Sequence, residues 1–179
     1  VAEGVDLVFG KYSEVVSDAA RAKLNVRAVA MLTGQDGKIT QTGLFVVRSA
    51  DPAASLEDLA KHQILFGPED AMEKRHAALA SLEAFDIAIP GELRVSSGCN
   101  SAAIAVVEGD ADAAVISSYA MPLLEGCGTI DRGALRVVGE TDQVPFVGVF
   151  ATDRVGSEAE GVILEALVAV ADRPELLQD

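Results

Sequence analysis

One phrase occurs twice in this chain, and the two copies restrict its fold more than any other feature. The first copy is Glu3-Gly4-Val5-Asp6-Leu7-Val8-Phe9-Gly10-Lys11-Tyr12-Ser13, and the second runs from Glu108-Gly109-Asp110-Ala111-Asp112 through Ala113-Ala114-Val115-Ile116 to Ser117-Ser118-Tyr119-Ala120. Each has a glycine suited to ending a helix, then an acidic turn residue, then a short apolar run that fits a buried parallel strand. Each then turns polar and reaches a tyrosine. Ligands of α/β sheets sit beyond the carboxyl ends of the strands. The copies therefore place Lys11, Tyr12 and Ser13 in one half, and Ser117, Ser118 and Tyr119 in the other, where a ligand is held. Two such halves facing one another are expected to form a cleft.

A chain of 179 residues, half of them apolar, has enough core for one large domain or two small lobes. Its 28 acidic and 14 basic residues give a net charge of -14, so a nucleic-acid surface would work against the protein's own field. Nucleic acid is set aside as a partner. The longest apolar stretch, residues 162–171, is interrupted by Glu165 and is too short to span a bilayer. The chain carries no secretory leader pattern and begins at Val1, which fits a processed or trimmed product.

Read for elements, the sequence alternates strands and helices with short polar links. Helices are expected over residues 14–23, 70–85, 100–108, 120–125 and 157–171. Strands are expected over 26–33, 44–48, 64–66, 93–96, 113–116, 135–139 and 146–150. A turn is expected at 35–38. Ser55-Leu56-Glu57-Asp58-Leu59 reads as a capping-box opening of a short helix, and Asp70 with Glu73 as a second capping pair. Repeated β/α alternation argues for an α/β fold with largely parallel sheets.

The order of these phrases carries a family resemblance. The Gly4-x-Asp6 strand, Tyr12, the strand Leu44-Phe45-Val46-Val47-Arg48, the phrase Ser55-Leu56-Glu57-Asp58-Leu59 and the strand end Phe66-Gly67-Pro68 come first. Gly109-Asp110-Ala111-Asp112-Ala113-Ala114, Leu135-Arg136-Val137-Val138 and Val144-Pro145-Phe146 follow. Together they resemble the phosphate, phosphite and phosphonate substrate-binding proteins of ABC importers over nearly the whole chain. The resemblance implies an α/β, two-lobed fold of the type 2 periplasmic-binding class, with the ligand clamped between lobes. It implies residues 1–47 and 142–179 in lobe one, residues 48–141 in lobe two, and crossings near 48–55 and 140–145. It also implies that the family's opening strand, helix and second strand are not among these residues, leaving the first lobe incomplete. An open edge of that kind calls for a partner. A second chain completing lobe one, a swapped segment and a fused or associated extra domain all remain open.

The site expectations follow position by position. Where the family carries small hydroxyl residues at a helix start, this chain has Glu69-Asp70-Ala71-Met72-Glu73, whose carboxylates oppose an oxyanion and read first as helix caps. Ser96-Ser97-Gly98-Cys99-Asn100-Ser101 offers hydroxyls and a glycine at a second helix start, so Cys99, Asn100 and Ser101 are candidate ligand contacts beside a plain serine cap. Tyr12 and Tyr119, the chain's two tyrosines, lie just past strands and are candidates too, against an interface role. Lys11 offers a countercharge, Ser13, Ser117 and Ser118 offer hydroxyls, and Thr42 is a weaker candidate. Each of these has an ordinary surface or capping role as its alternative. If an oxyanion binds, the run 69–73 should point away from it.

Cys99 and Cys127, the only cysteines, are open to being bridged, free, or paired on a soft ligand. Glu73-x-x-His76 has metal-site spacing but lacks a partner motif, so neither a metal nor a cofactor is expected. No nucleophile elbow, phosphate loop or dinucleotide fingerprint occurs, and no catalytic residue is assigned. The economical reading is a non-enzymatic solute-binding protein for a small anion, working with an ABC permease in the periplasm or another extracytoplasmic space. The alternative is a sensory or scaffold module that keeps the fold and has lost or changed its ligand.

Overall fold

The computed structural model describes residues 4–33, 37–89, 91–170 and 173. In chain order the elements begin with β1 (Leu7–Lys11), α1 (Tyr12–Ala22), β2 (Val26–Met31), β3 (Thr40–Gln41) and β4 (Gly43–Arg48). A 3-10 turn (Glu57–Lys61), β5 (Ile64–Phe66), and a π-helical turn (Met72–His76) that runs into α2 (Ala77–Ala84) come next. Then follow β6 (Arg94–Val95), α3 (Cys99–Glu108), β7 (Ala113–Ser117), α4 (Ala120–Gly126), β8 (Leu135–Glu140), β9 (Val144–Pro145), β10 (Val147–Thr152) and α5 (Ser157–Val170). Of the expected turn at 35–38, residues 35 and 36 lie outside the described residues, while Gly37 has φ +75°.

The chain divides into two units, Val1–Ile39 with Pro145–Asp179, and Thr40–Val144. In the first, β10 lies between β1 and β2 and runs antiparallel to both, with Val8 opposite Phe150 and Ala28 opposite Phe150 on the other side. The β1-α1-β2 segment is thus a parallel crossover with a reversed strand inserted into it. Val26 and α1 residues Val15 and Ala19 line one apolar groove, whereas the neighbouring Arg27 forms an ion pair with Glu160 of α5. Successive strand residues point to opposite faces, so α1 and α5 cover opposite faces of this sheet. The α5 cover is thin. None of its residues is buried, and Val162 and Val168 are 64% and 62% exposed.

The second unit is a three-layer sandwich on a sheet of order β6-β5-β7-β4-β8. Period-2 alternation divides its core in two. Phe45, Val47, Ile64, Phe66, Ala113 and Val115 join Leu56, Leu59, Ala78 and Leu82 on one face. Val46, Leu65, Ala114 and Ile116 join Ala102, Val106, Ala120 and Leu124 on the other. Helix α3 ends at Gly109, whose φ of +88° suits a residue without Cβ. In the 3-10 turn the carboxylate of Asp58 accepts the Ala54 and Ser55 N–H groups at 2.7 and 3.0 Å, the reciprocal half of the expected capping box.

Two expectations need correction. The sheets are mixed: β5 is parallel to β6 and β7, but β4 is antiparallel to β7 and β8, as β10 is to its neighbours. The reversed strands are those by which the chain enters or re-enters a unit, and a strand arriving from outside is not bound by the crossover rule. The first division also falls at residues 39 and 40, ahead of the expected 47 and 48, because β4 pairs wholly within the second unit. The polar link after β4 is fixed there too, since the Arg136 guanidinium donates to the carbonyls of Asp51 and Ala53.

Phe45 is fully buried, and Phe45→Ala should lower unfolding free energy by about 3–5 kcal/mol in urea melts. An unchanged midpoint would contradict its place in the core. Asp51 gives a pH test. Burial works against its charge, but the Ala53 N–H and His62 outweigh this and hold the carboxyl below the usual 3.8. A depressed carboxyl contributes stability above its unfolded value and loses it as pH falls through the folded one. Wild type should therefore lose stability on acidification below about pH 4 more steeply than Asp51→Asn.

Candidate functional site

The carboxyl end of β7 gathers most of the second unit's candidate residues. Every residue of β7 is buried, and Ser117, its last, stands opposite Gly43 of β4. The Ser117 hydroxyl donates to Oε1 of Glu73 at 2.6 Å, and its N–H points to Sγ of Cys99 at 3.4 Å. The Cys99 thiol returns to the Ser117 hydroxyl at 3.6 Å. Cys99 opens α3, which starts from an extended Gly98 with no side-chain cap, so the positive end of the helix dipole lies beside Ser117. Ser96 and Ser101 hydroxyls each donate to the Gly98 carbonyl at 3.1 Å. Asn100 is exposed at the same helix start.

Ser118 is tied to the strand beside it: its N–H donates to the Thr42 carbonyl at 2.9 Å and its hydroxyl accepts the Thr42 N–H at 3.2 Å. The Thr42 hydroxyl in turn donates to Glu140 at 2.7 Å. Tyr119 precedes α4 and is 38% exposed. The structure thus joins Cys99 with Ser117, and Ser118 with Thr42. Ser117 itself is wholly enclosed, which leaves Cys99, Asn100, Ser101, Ser118 and Tyr119 as the accessible part.

Lys11, Tyr12 and Ser13 belong to the first unit, at the junction of β1 and α1, and all three are half-buried. The Tyr12 N–H donates to the Phe146 carbonyl at 2.9 Å, and its ring packs on Phe150 with centroids 5.3 Å apart. Tyr12 therefore has a packing role against the sheet of its own unit.

Sequence reasoning misplaced Glu73. The helix starts from Ala71, whose side chain makes no cap bond, and the Glu73 side chain turns inward to full burial. The π-helical turn is the cause, because its wider winding rotates residue 73 off the surface. Gly43 makes room, since a Cβ there would collide with the Glu73 carbonyl oxygen. That glycine, facing a strand-end serine, is the one sequence sign of a close approach. His76 turns elsewhere and meets the Glu69 carbonyl at 2.7 Å, so the Glu73-x-x-His76 pair does not converge. Among the described residues no group of three or more His, Cys, Asp or Glu side chains is placed to hold a metal. No described helix is long and apolar enough to cross a membrane.

These features sit on the fold of the periplasmic binding proteins. A family model described as "ABC transporter, phosphonate, periplasmic substrate-binding protein" matches residues 2–179, and the chain belongs to that family. Among solved structures, XAC2383 from Xanthomonas citri bound to ATP is 18% identical with a TM-score of 0.73, over 94% of this chain and 65% of that one. A binding protein component of an ABC phosphonate transporter from Pseudomonas aeruginosa is 18% identical with a TM-score of 0.74, over 91% and 56%. PhnD1 from Prochlorococcus marinus in complex with methylphosphonate is 17% identical with a TM-score of 0.68, over 90% and 63%. The chain spans 56–65% of the length of these three structures. No curated protein matches it.

Both cysteines are free thiols. Cys127 is exposed, and hydrogen bonds from the Thr129 hydroxyl, 3.0 Å away, and from Thr129 N–H hold its thiol below the usual 9.0. Reactivity follows thiolate fraction and access, so Cys127 should react with iodoacetamide several-fold faster than the half-buried Cys99. Cys127→Ser should abolish the fast phase, and equal rates in wild type would contradict the assignment.

Proposed function

We propose that this chain is the solute-holding part of an extracytoplasmic binding protein for ABC import, and that its solute is a small oxyanion of the phosphate, phosphite or phosphonate type. The observation that carries this reading is the uncapped start of α3 beside the serine-rich end of β7. A helix start offers N–H donors and a positive dipole end to an anion. Cys99, Asn100, Ser101, Ser118 and Tyr119 supply the second unit's contacts, and Lys11 and Ser13 are the first unit's contributors. Family membership supports the class of solute and an ABC permease as partner.

The reading includes a structural partner. Among the described residues β1 pairs only with β10, and Phe9 is 62% exposed. An apolar groove of about 450 Å³ along Val5, Val8, Val15 and Leu24 lies open in the same unit. A free strand edge and uncovered apolar surface are suited to a further strand and helix, from a fused segment or from a second chain.

A second reading, a sensory or scaffold module with a lost or altered ligand, is favoured by one observation: the carboxyl of Glu73 already takes the Ser117 hydroxyl. Calorimetry against phosphate, phosphite, methylphosphonate, sulfate and arsenite separates the two. Binding to a phosphorus oxyanion is expected, with Tyr119→Ala weakening it about tenfold, the loss of one hydrogen bond to a charged group, at nearly unchanged melting temperature. Absence of heat with all five would move the assignment to the scaffold reading.

A further inference from the structure

We propose that the carboxyl group of Glu73 is a built-in anion, occupying at Ser117 the position of a solute oxygen and so limiting how tightly an external oxyanion binds. The inference rests on the reading that the end of β7 is the solute site. Glu73 is an acidic side chain with no exposed surface, although it is carried by a turn whose neighbours Met72 and His76 are exposed. Its Oε1 lies 2.6 Å from the Ser117 hydroxyl, a charge-assisted length. Ser117 is in turn bonded to Cys99 at the uncapped start of α3, so the carboxyl sits near a positive dipole end as a bound anion does. Hydrogen-bond direction gives the consequence. A serine has a single O–H donor, and with that proton given to Glu73 the oxygen left at Ser117 can only accept. A bare oxyanion oxygen arriving there meets an acceptor and a like charge. It must displace Glu73, bind without Ser117, or force a proton onto the pair, and each route weakens binding.

The backbone holds this arrangement in place. The π-helical turn rotates Glu73 inward, and Gly43 admits the turn against the strand end. The Gly67 N–H donates to the Lys74 carbonyl at 3.0 Å, tying the turn to the end of β5.

The test compares wild type, Glu73→Ser, Glu73→Gln and Ser117→Ala by calorimetry with inorganic phosphate and methylphosphonate, alongside thermal melts with and without formate. Glu73→Ser should bind phosphate at least tenfold more tightly than wild type, and formate should raise its melting temperature by filling the vacated position. Glu73→Gln removes the charge while keeping the shape, so it should show a smaller gain and remain folded if the serine variant does not. Adding Ser117→Ala to either variant should cancel the gain. Equal phosphate affinity in wild type and Glu73→Gln would overturn the proposal and leave the oxyanion reading standing. If no variant binds either anion, both the proposal and the oxyanion reading fall.

Discussion

The second unit depends on β4 being buried on both faces and paired on both edges. Phe45, Val46 and Val47 have no exposed surface, and their alternating directions send Phe45 and Val47 into one apolar cluster and Val46 into the other. A strand that seeds both cores and pairs with β7 and β8 at once cannot shift register, because a one-residue slip would exchange the two clusters. Its ends are fixed by side chains. Arg48 donates to the carbonyls of Val106 and Ala111 near the end of α3, and at the other end the Thr141 hydroxyl accepts the Gly43 N–H at 2.8 Å. The position of Gly43 sets that of its partner Ser117, and through Ser117 that of Cys99 and Glu73. The candidate site is therefore held by the most constrained strand of the unit.

Much of this was legible because buried strands and helices leave local patterns. The apolar runs of β4, β5 and β7 are bounded by turn residues, and α3 ends at Gly109 where a left-handed residue is required. Strand direction was not legible. An apolar run reads the same in a parallel and an antiparallel ladder, and counting β/α alternation assumes that successive strands are laid down in one sense. β4 and β10 break the assumption because the chain reaches each of them on passing from one unit into the other. The first division was misplaced for a related reason. The polar link after β4 has the composition of a hinge, yet its carbonyls are held by Arg136, which lies 85 residues from Asp51 in sequence. Composition carries no trace of so distant a donor.

The candidate site was legible as a place in the fold more than as a set of contacts. The serine and tyrosine that follow each copy of the repeated phrase do fall at strand ends, as sheet architecture demands. What the sequence could not convey is which groups those side chains choose. Tyr12 packs on Phe150, a contact made possible by β10 lying beside β1. Glu73 looked like a cap because it stands three residues after Asp70, a spacing that assumes regular α-helical winding. The π-helical turn changes that winding, and with it the face on which residue 73 lies.

Charge sharpens what recognition can rely on. With a net charge of -14, the protein's long-range field disfavours an approaching anion. The arginines of β4, β6 and β8 do little to offset it, because they lie toward the other end of the sheet from Ser117 and are used on the chain itself. Arg48 is committed to α3 carbonyls, Arg136 to the link after β4, and Arg94 to Gln63 and the Asp110 carbonyl. On the proposed reading, the second unit's share of recognition at the end of β7 falls to neutral groups, the hydroxyls and the amides at the start of α3, which act only over hydrogen-bond distances. Such a site gains little from attraction at a distance and depends on which donors are still available when a solute arrives. Where neutral donors set the affinity, one carboxyl group that claims a donor weighs more than it would in a site built from cations.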